Sequence, residues 1–223
     1  MNYKEVIEAK YNREAWQQLL HDIFLNKVQF YNSTSEVKVN SRLAKSALYI
    51  GRISLSDGES LGIYEVELAD KVDIERNKRG IRDMLTKDWK DMGHAGAFMF
   101  CYRKNESVLR FSYVSETWGF NKKGDYEKLS TNTKRYTYLL GEGRGCRTAI
   151  EQFSALKESK QSLSDVTAAF SVEALTKQFY KDLFDWYQWA VDPASGVYFP
   201  NNTSTEDDDR EDIETKIIRM ITR

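Results

Sequence analysis

Glu65 and Glu67 stand two residues apart inside the apolar run LGIYEVELA, residues 61–69. In an extended strand alternate side chains share a face, so both carboxylates point one way while Tyr64, Val66 and Leu68 pack on the other. Two acids on one face of a core strand are costly unless they are paired with cations or bound to a metal. A divalent cation held by such a pair activates water and offsets charge on a phosphate, which points to phosphodiester chemistry. Two groups of basic residues suit the same chemistry. On a helix expected over 72–89, Lys78 and Arg82 are i, i+4 neighbours, with Arg76 and Arg79 beside them. Lys134, Arg135, Arg144 and Arg147 form a second basic cluster near Tyr136 and Tyr138, where cations meet phosphate while rings stack or pack. Each feature also has a bland reading. Exposed strands carry Glu-x-Glu pairs, helix cations form solvated faces balanced here by Asp73, Glu75 and Asp83, and alternating tyrosines fill cores.

The elements that must position these groups follow from the spacing. Residues 11–24 put Trp16, Leu19, Leu20 and Ile23 on one helical face, with Asn12 as N-cap. Short strands are expected at 28–30 and 36–39. The clearest signal is a hairpin, ALYIGRISLS and ESLGIYEVELA joined by Asp57-Gly58, a preferred two-residue turn. That turn sets Ser56 opposite Glu59, Ile50 opposite Glu65 and Leu48 opposite Glu67. After the basic helix come a buried strand over GAFMFCYR, a turn at Lys104-Asn105-Glu106 and a partner strand over VLRFSYVSE. Residues 119–133 read as a polar, mobile loop, KRYTYLLG as a last strand and 146–157 as a helix. A short helix begins at Ser164, and 174–189 forms an aromatic amphipathic one carrying Phe179, Leu183, Trp186 and Tyr187. Residues 192–209 hold both prolines and the run Glu206-Asp207-Asp208-Asp209, and read as a linker before another helix at 213–221. The expected organisation is a domain over 1–158, a helical extension over 159–191, and over 192–223 a linker and the start of a helix leading to a following domain absent from this chain.

Bulk composition narrows the class. With 223 residues, 41% of them apolar, the chain has room for the core of one domain. Its 33 basic and 34 acidic residues leave a net charge of -1, so nucleic-acid binding must come from local patches. Cys101 and Cys146 read as free thiols of a reducing compartment, and neither they nor His21 and His94 show zinc-site spacing. No run approaches eighteen apolar residues and the start is no signal peptide, so no membrane partner is expected and the location reads as cytoplasmic.

The order helix, hairpin with Glu-x-Glu on its second strand, basic helix, strand, strand, helix resembles the core of the PD-(D/E)xK nucleases. The longer runs NREAWQQLLHDIF, GRISLSDGESLGIYEVELAD, ERNKRGIRDML, KRYTYLLGEGRGCRTA and AFSVEALTKQFY resemble the N-terminal region of bifunctional type IIG restriction–modification proteins, over residues 12–223. In those proteins a nuclease-like region precedes an adenine-specific, S-adenosylmethionine-dependent methyltransferase. The resemblance implies an α+β fold with a restriction-endonuclease-like central mixed sheet, flanking helices and a small C-terminal helical extension. It further implies Mg²⁺ (or Mn²⁺) held by Glu65 and Glu67, double-stranded DNA as substrate, and the methyltransferase domain of the same protein as partner. Lys78 or Arg82 would then stand in for the family's motif lysine, and Arg76, Arg79, Lys134, Arg135, Arg144 and Arg147 would hold DNA.

Two departures from the pattern matter. The family places another acid near the start of the first hairpin strand, where this chain has Ile50, Gly51 and Arg52. Asp57 lies in the turn, about 20 Å from Glu65 at roughly 3.3 Å per residue, which leaves Glu36 or Glu14 as substitutes and Glu36 as the third expected metal ligand. The methyltransferase signatures, a glycine-rich loop and NPPY, are absent, so S-adenosylmethionine binding is not expected. The rival reading is a catalytically degenerate module of the same fold that binds DNA or docks the methyltransferase. A third is a protein scaffold working through Trp186 and Trp189.

Overall fold

The computed structural model describes residues 2–76, 78–120, 126–130, 136–192, 194 and 215, with the side chains of 78, 117–120, 126–130 and 172–178 outside that description. The chain divides into two compact units, 1–174 and 175–223. The first unit is α+β. It runs α1 (Tyr3–Ile7), α2 (Arg13–Phe24), a 3₁₀ turn (Leu25–Lys27), β1 (Val28–Glu36), β2 (Ala44–Ser54), β3 (Ser60–Leu68), α3 (Lys78–Asp91) and β4 (Gly96–Tyr102). It continues with β5 (Leu109–Phe120), β6 (Tyr126–Ser130), β7 (Thr137–Leu140), α4 (Arg147–Glu158) and α5 (Leu163–Phe170), and α6 (Val172–Val191) carries the chain into the second unit.

One mixed sheet orders the strands β1-β2-β3-β4-β5-β6, with β7 also pairing β5. β1, β2 and β3 form an antiparallel meander, and β3 and β4 run parallel because α3 crosses over between them. Strand alternation splits the sheet into two faces. Tyr64, Val66 and Leu68 of β3 share one face with Tyr49, Met99 and Cys101, and pack under Ile81, Leu85 and Trp89 of α3. The other face is aromatic: Phe98 and Phe100 of β4 and Phe111 of β5 meet Trp16 of α2, Phe153 of α4 and Phe170 of α5.

Asn12 does cap α2, its side chain accepting the Ala15 N–H at 2.9 Å. The hairpin turn differs from the expectation by one residue. Ser54 pairs with Ser60, the Leu55 N–H meets the Glu59 carbonyl at 2.8 Å, and Gly58 adopts φ +86°. Ser56, Asp57 and Gly58 therefore form a three-residue loop, a type I turn closed by a glycine in the left-handed region. A bulge at Ile50 shifts the register again, so Leu48, not Ile50, faces Glu65, and Ser46, not Leu48, faces Glu67. Asp57 has a structural task, accepting the Leu163 N–H at the start of α5 at 2.7 Å.

Other differences have equally local causes. The strand expected at 28–30 is the start of β1, which continues to Glu36 with an irregularity between Phe30 and Ser35, whereas residues 37–39 of the strand expected at 36–39 lie outside it. Residues expected as a loop over 119–133 contain β6, paired antiparallel from Glu116↔Ser130 to Phe120↔Tyr126; polar composition hides a strand held by backbone hydrogen bonds. α3 starts at Lys78 rather than 72 because buried Val72 and Ile74 tuck into the core and Arg110 ties down the Ile74 and Arg76 carbonyls, both at 2.8 Å. Within the expected extension from 159, α5 packs on the first unit's aromatic face, with Phe170 5.1 Å from Phe111. The linker and last helix expected over 192–223 lie almost wholly outside the described residues. Among the described residues no helix is long and apolar enough to cross a membrane.

His94 follows α3 and is buried, its ring nitrogens 2.9 Å from the Tyr49 hydroxyl and 2.8 Å from Ser60 Oγ. Burial lowers its pKa from 6.5, Arg52 adds to the lowering and Asp88 opposes it. The unfolded chain therefore takes up a proton as pH falls through 6.5 while the folded chain resists it, so stability drops below that pH and keeps dropping until the folded-state value is reached. The melting temperature is expected to fall more between pH 7.5 and 5.5 for the wild type than for His94→Gln; equal slopes would place the titration elsewhere.

Candidate functional site

β3 carries both acids to the end of the sheet where the parallel β3–β4 pair finishes. Glu65 lies beside Phe100 and Glu67 beside Tyr102 in register. By alternation both acids face α2, while Tyr64 reaches the opposite way and donates to Asp88 of α3 at 2.7 Å. Glu65 is only 3% exposed and is held by three hydrogen bonds. The Tyr11 hydroxyl donates to its Oε1 at 2.5 Å, Arg13 Nε donates to the same oxygen at 2.9 Å, and Arg13 Nη2 donates to Oε2. Carboxylate contact holds the Arg13 pKa above its ordinary value, and burial followed by the nearby Glu65 charge raises that of Tyr11. Tyr11 stacks on Phe100 at 5.5 Å and lies 4.7 Å from Tyr102. The Tyr102 hydroxyl is pushed up to about 12 by burial and then by Glu65 and Glu67.

Glu67 opens onto a cavity of about 250 Å³ lined by Lys45, Leu68, Asp70, Arg103, Lys104, Asn105 and Glu106. Lys104 Nζ lies 3.1 Å from its Oε2, and Lys45 Nζ lies 3.9 Å from its Oε1 while bonding Asp70 at 2.6 Å. Arg103 at the cavity wall pairs with Glu106 at 2.5 Å and donates to the Val72 carbonyl. Glu67, Asp70 and Glu106 thus surround one opening together with Lys45, Arg103 and Lys104, Glu67 buried and both lysines exposed.

The remaining expected residues fall elsewhere. Arg82 binds its neighbour Asp83 from Nε at 2.9 Å and Nη2 at 2.7 Å. It sits on α3, which packs on the opposite face of the sheet, so Arg82 is not brought to the acids. Lys78 opens the same helix, and its side chain lies outside the described residues. Glu36 ends β1, exposed, in the row Glu36–Leu48–Glu65, with Leu48 between and about 10 Å of strand spacing to Glu65. Glu14 is exposed on α2. Arg76 pairs with Asp73 at 3.4 Å, Arg144 with Glu75 at 2.8 Å and Arg147 with Glu151 at 2.9 Å, while Arg79 is exposed on α3. The Arg144–Glu75 pair joins the loop before α3, which carries Arg76, to the loop after β7, and neither arginine lines the cavity. Lys134 and Arg135 lie outside the described residues.

Neither a protein-family model, a curated protein nor a solved structure matches this chain. The site has to be read from its own geometry.

Sequence reasoning missed Tyr11, Arg13, Lys45, Asp70 and Lys104. Only Lys104 carried a usable signal: once β4 is paired parallel to β3, the turn after β4 must lie beyond Glu67. Among the described residues no group of three or more His, Cys, Asp or Glu is placed to hold a metal ion. Two buried carboxylates nonetheless suit a hard cation, because Mg²⁺ binds through one or two carboxylates and keeps several waters. The guanidinium on Glu65 and the ammonium on Glu67 mark where positive charge is already accommodated.

Proposed function

We propose that this chain is the DNA-cleaving module of a restriction–modification protein, acting on double-stranded DNA with Mg²⁺ or Mn²⁺ and working beside a methyltransferase domain. One observation carries the reading: two buried carboxylates of one strand reach the end of a parallel strand pair, and two exposed lysines flank the opening next to Glu67. The chain order α2, β2–β3 hairpin, α3, β4, β5, α4 also accords with the nuclease resemblance.

In this reading the bound ion supplies an activated water and neutralises charge on the phosphate. Glu65 and Glu67 hold it from a strand whose burial fixes their direction. Lys104 and Lys45, rather than Arg82, meet the phosphate oxygens, because they line the cavity beside Glu67 while Arg82 pairs with Asp83 on α3. Tyr102 and Tyr11 wall the site on the apolar side.

A second reading has its own support. Arg13 and Tyr11 already satisfy Glu65, and the lysines satisfy Glu67, which suits a non-catalytic module of similar architecture that holds DNA or docks the methyltransferase. Incubation of supercoiled plasmid with the chain and Mg²⁺, beside DNA binding measured across a salt series, separates the two. Nicking that depends on Mg²⁺ and on Glu67 sustains the enzyme. Salt-sensitive binding without nicking sustains the binder, and neither activity removes both.

A further inference from the structure

We infer that Arg13 is an exchangeable guanidinium: it holds Glu65 while no divalent cation is bound, and transfers to a substrate phosphate when one is. The inference rests on the cation-dependent reading above. It starts from lone pairs. A carboxylate offers about four acceptor sites. The Arg13 fork engages both oxygens of Glu65, and the Tyr11 hydroxyl takes a further site on Oε1. That uses three of the four sites and leaves one on Oε2; a divalent cation coordinated there would lie against the Arg13 guanidinium, and the like charges, not a lack of lone pairs, drive Arg13 off.

Burial decides which partner moves. Glu65 is 3% exposed at the side chain, whereas Arg13 is 40% exposed. The acid sits on a central strand between β2 and β4 and cannot withdraw. Arg13 is the first residue of α2, preceded by the irregular stretch 8–12, and its guanidinium can leave without dismantling the aromatic core. Tyr11, stacked against Phe100 and Tyr102, keeps Glu65 hydrogen-bonded meanwhile.

Charge makes the exchange obligatory. A buried carboxylate stripped of its cation is unfavourable, so Arg13 departs only as another cation arrives. On the proposed function the freed fork becomes available to a phosphodiester, because a guanidinium matches phosphate oxygens in the same two-pronged way as it matches a carboxylate. Lys45 and Lys104 cannot do this, because an ammonium is a point charge with no fixed fork. The consequence is coupling: the divalent ion increases DNA affinity by more than its own charge, since it releases an additional phosphate ligand.

Calorimetric titration of Mn²⁺ into the full chain and into Arg13→Gln and Arg13→Lys tests the exchange. DNA binding is measured alongside in Ca²⁺ and in EDTA. Removing the competitor is expected to tighten Mn²⁺ binding roughly tenfold in Arg13→Gln, with Arg13→Lys, which keeps the charge and safeguards folding, in between. DNA affinity should weaken in the variants in Ca²⁺, with a salt slope lower by about one phosphate contact, and stay unchanged in EDTA. Mn²⁺ binding by the wild type that is equal or weaker in both variants overturns the exchange and leaves Arg13 a fixed structural partner. An equal loss of DNA binding in EDTA overturns it as well, making Arg13 a constant contact. No Mn²⁺ binding by any of the proteins fails the cation-dependent reading itself, and the exchange with it.

Discussion

Replacing Phe111 with alanine is expected to destabilise the first unit by about 3–5 kcal/mol, the range for deleting a buried phenylalanine and leaving a cavity. The position warrants the upper half of that range. Phe111 is 1% exposed and stacks on Phe100 at 4.5 Å with the rings 3° from parallel. Its ring also lies 5.2 Å from Trp16, 5.1 Å from Phe98, 5.1 Å from Phe170 and 5.9 Å from Phe153. Four elements besides its own, α2, β4, α4 and α5, therefore meet on one side chain, and no neighbour can collapse inward without leaving another contact. At roughly 2–4 °C per kcal/mol for a chain of this size, the melting temperature should drop by about 10 °C. Phe179→Ala is the contrasting control: that ring is 61% exposed on α6, and the change should stay within about 0.5 kcal/mol. Denaturant titration of both variants gives the comparison. A Phe111→Ala cost below about 1 kcal/mol would mean that the aromatic face, unlike interiors in general, is loosely packed.

The same aromatic face explains what sequence could and could not reveal. Trp16, Leu19, Leu20 and Ile23 recur at helical spacing, and Tyr64, Val66 and Leu68 at strand spacing, so the elements and their buried sides are written locally. Glu65 and Glu67 are visible as acids sharing a face for the same reason. Register is a longer-range property. Asp57-Gly58 signals a turn but not its length, and the extra loop residue together with the bulge at Ile50 moves every cross-strand neighbour of the acids. The partners of the acids are more remote still. Arg13 meets Glu65 across 52 positions, and nothing in NREAW distinguishes a helix-opening arginine that bonds water from one that clasps a buried carboxylate. Lys78 and Arg82 show the converse failure. Their spacing correctly marks a helix, but which face of the sheet that helix covers depends on the crossover and on Ile81, Leu85 and Trp89, and these carry Arg82 away from the acids.

On the proposed nuclease reading, Glu67→Gln should reduce Mg²⁺-dependent nicking by at least about a hundredfold, the scale on which one preorganised charge contributes to a developing transition state. Glu67 is the better test than Glu65 because its loss disturbs little else. Its cations, Lys45 and Lys104, have side chains 47% and 71% exposed and return to water when the carboxylate becomes an amide. Removing Glu65 instead frees Arg13 and leaves the Tyr11 hydroxyl without its acceptor, so lost activity would be entangled with a moved helix start. The amide keeps the shape of the acid, and folding should be within about 0.5 kcal/mol of the wild type. DNA binding gives the opposite sign: removing a negative charge beside two lysines should hold or increase affinity for a polyanion. An enzyme therefore predicts cleavage lost and binding kept in one variant, a pattern that unfolding cannot mimic. A binding module predicts no cleavage in the wild type and tighter binding in Glu67→Gln, with the carboxylate acting only as a brake on the lysines that hold the phosphate.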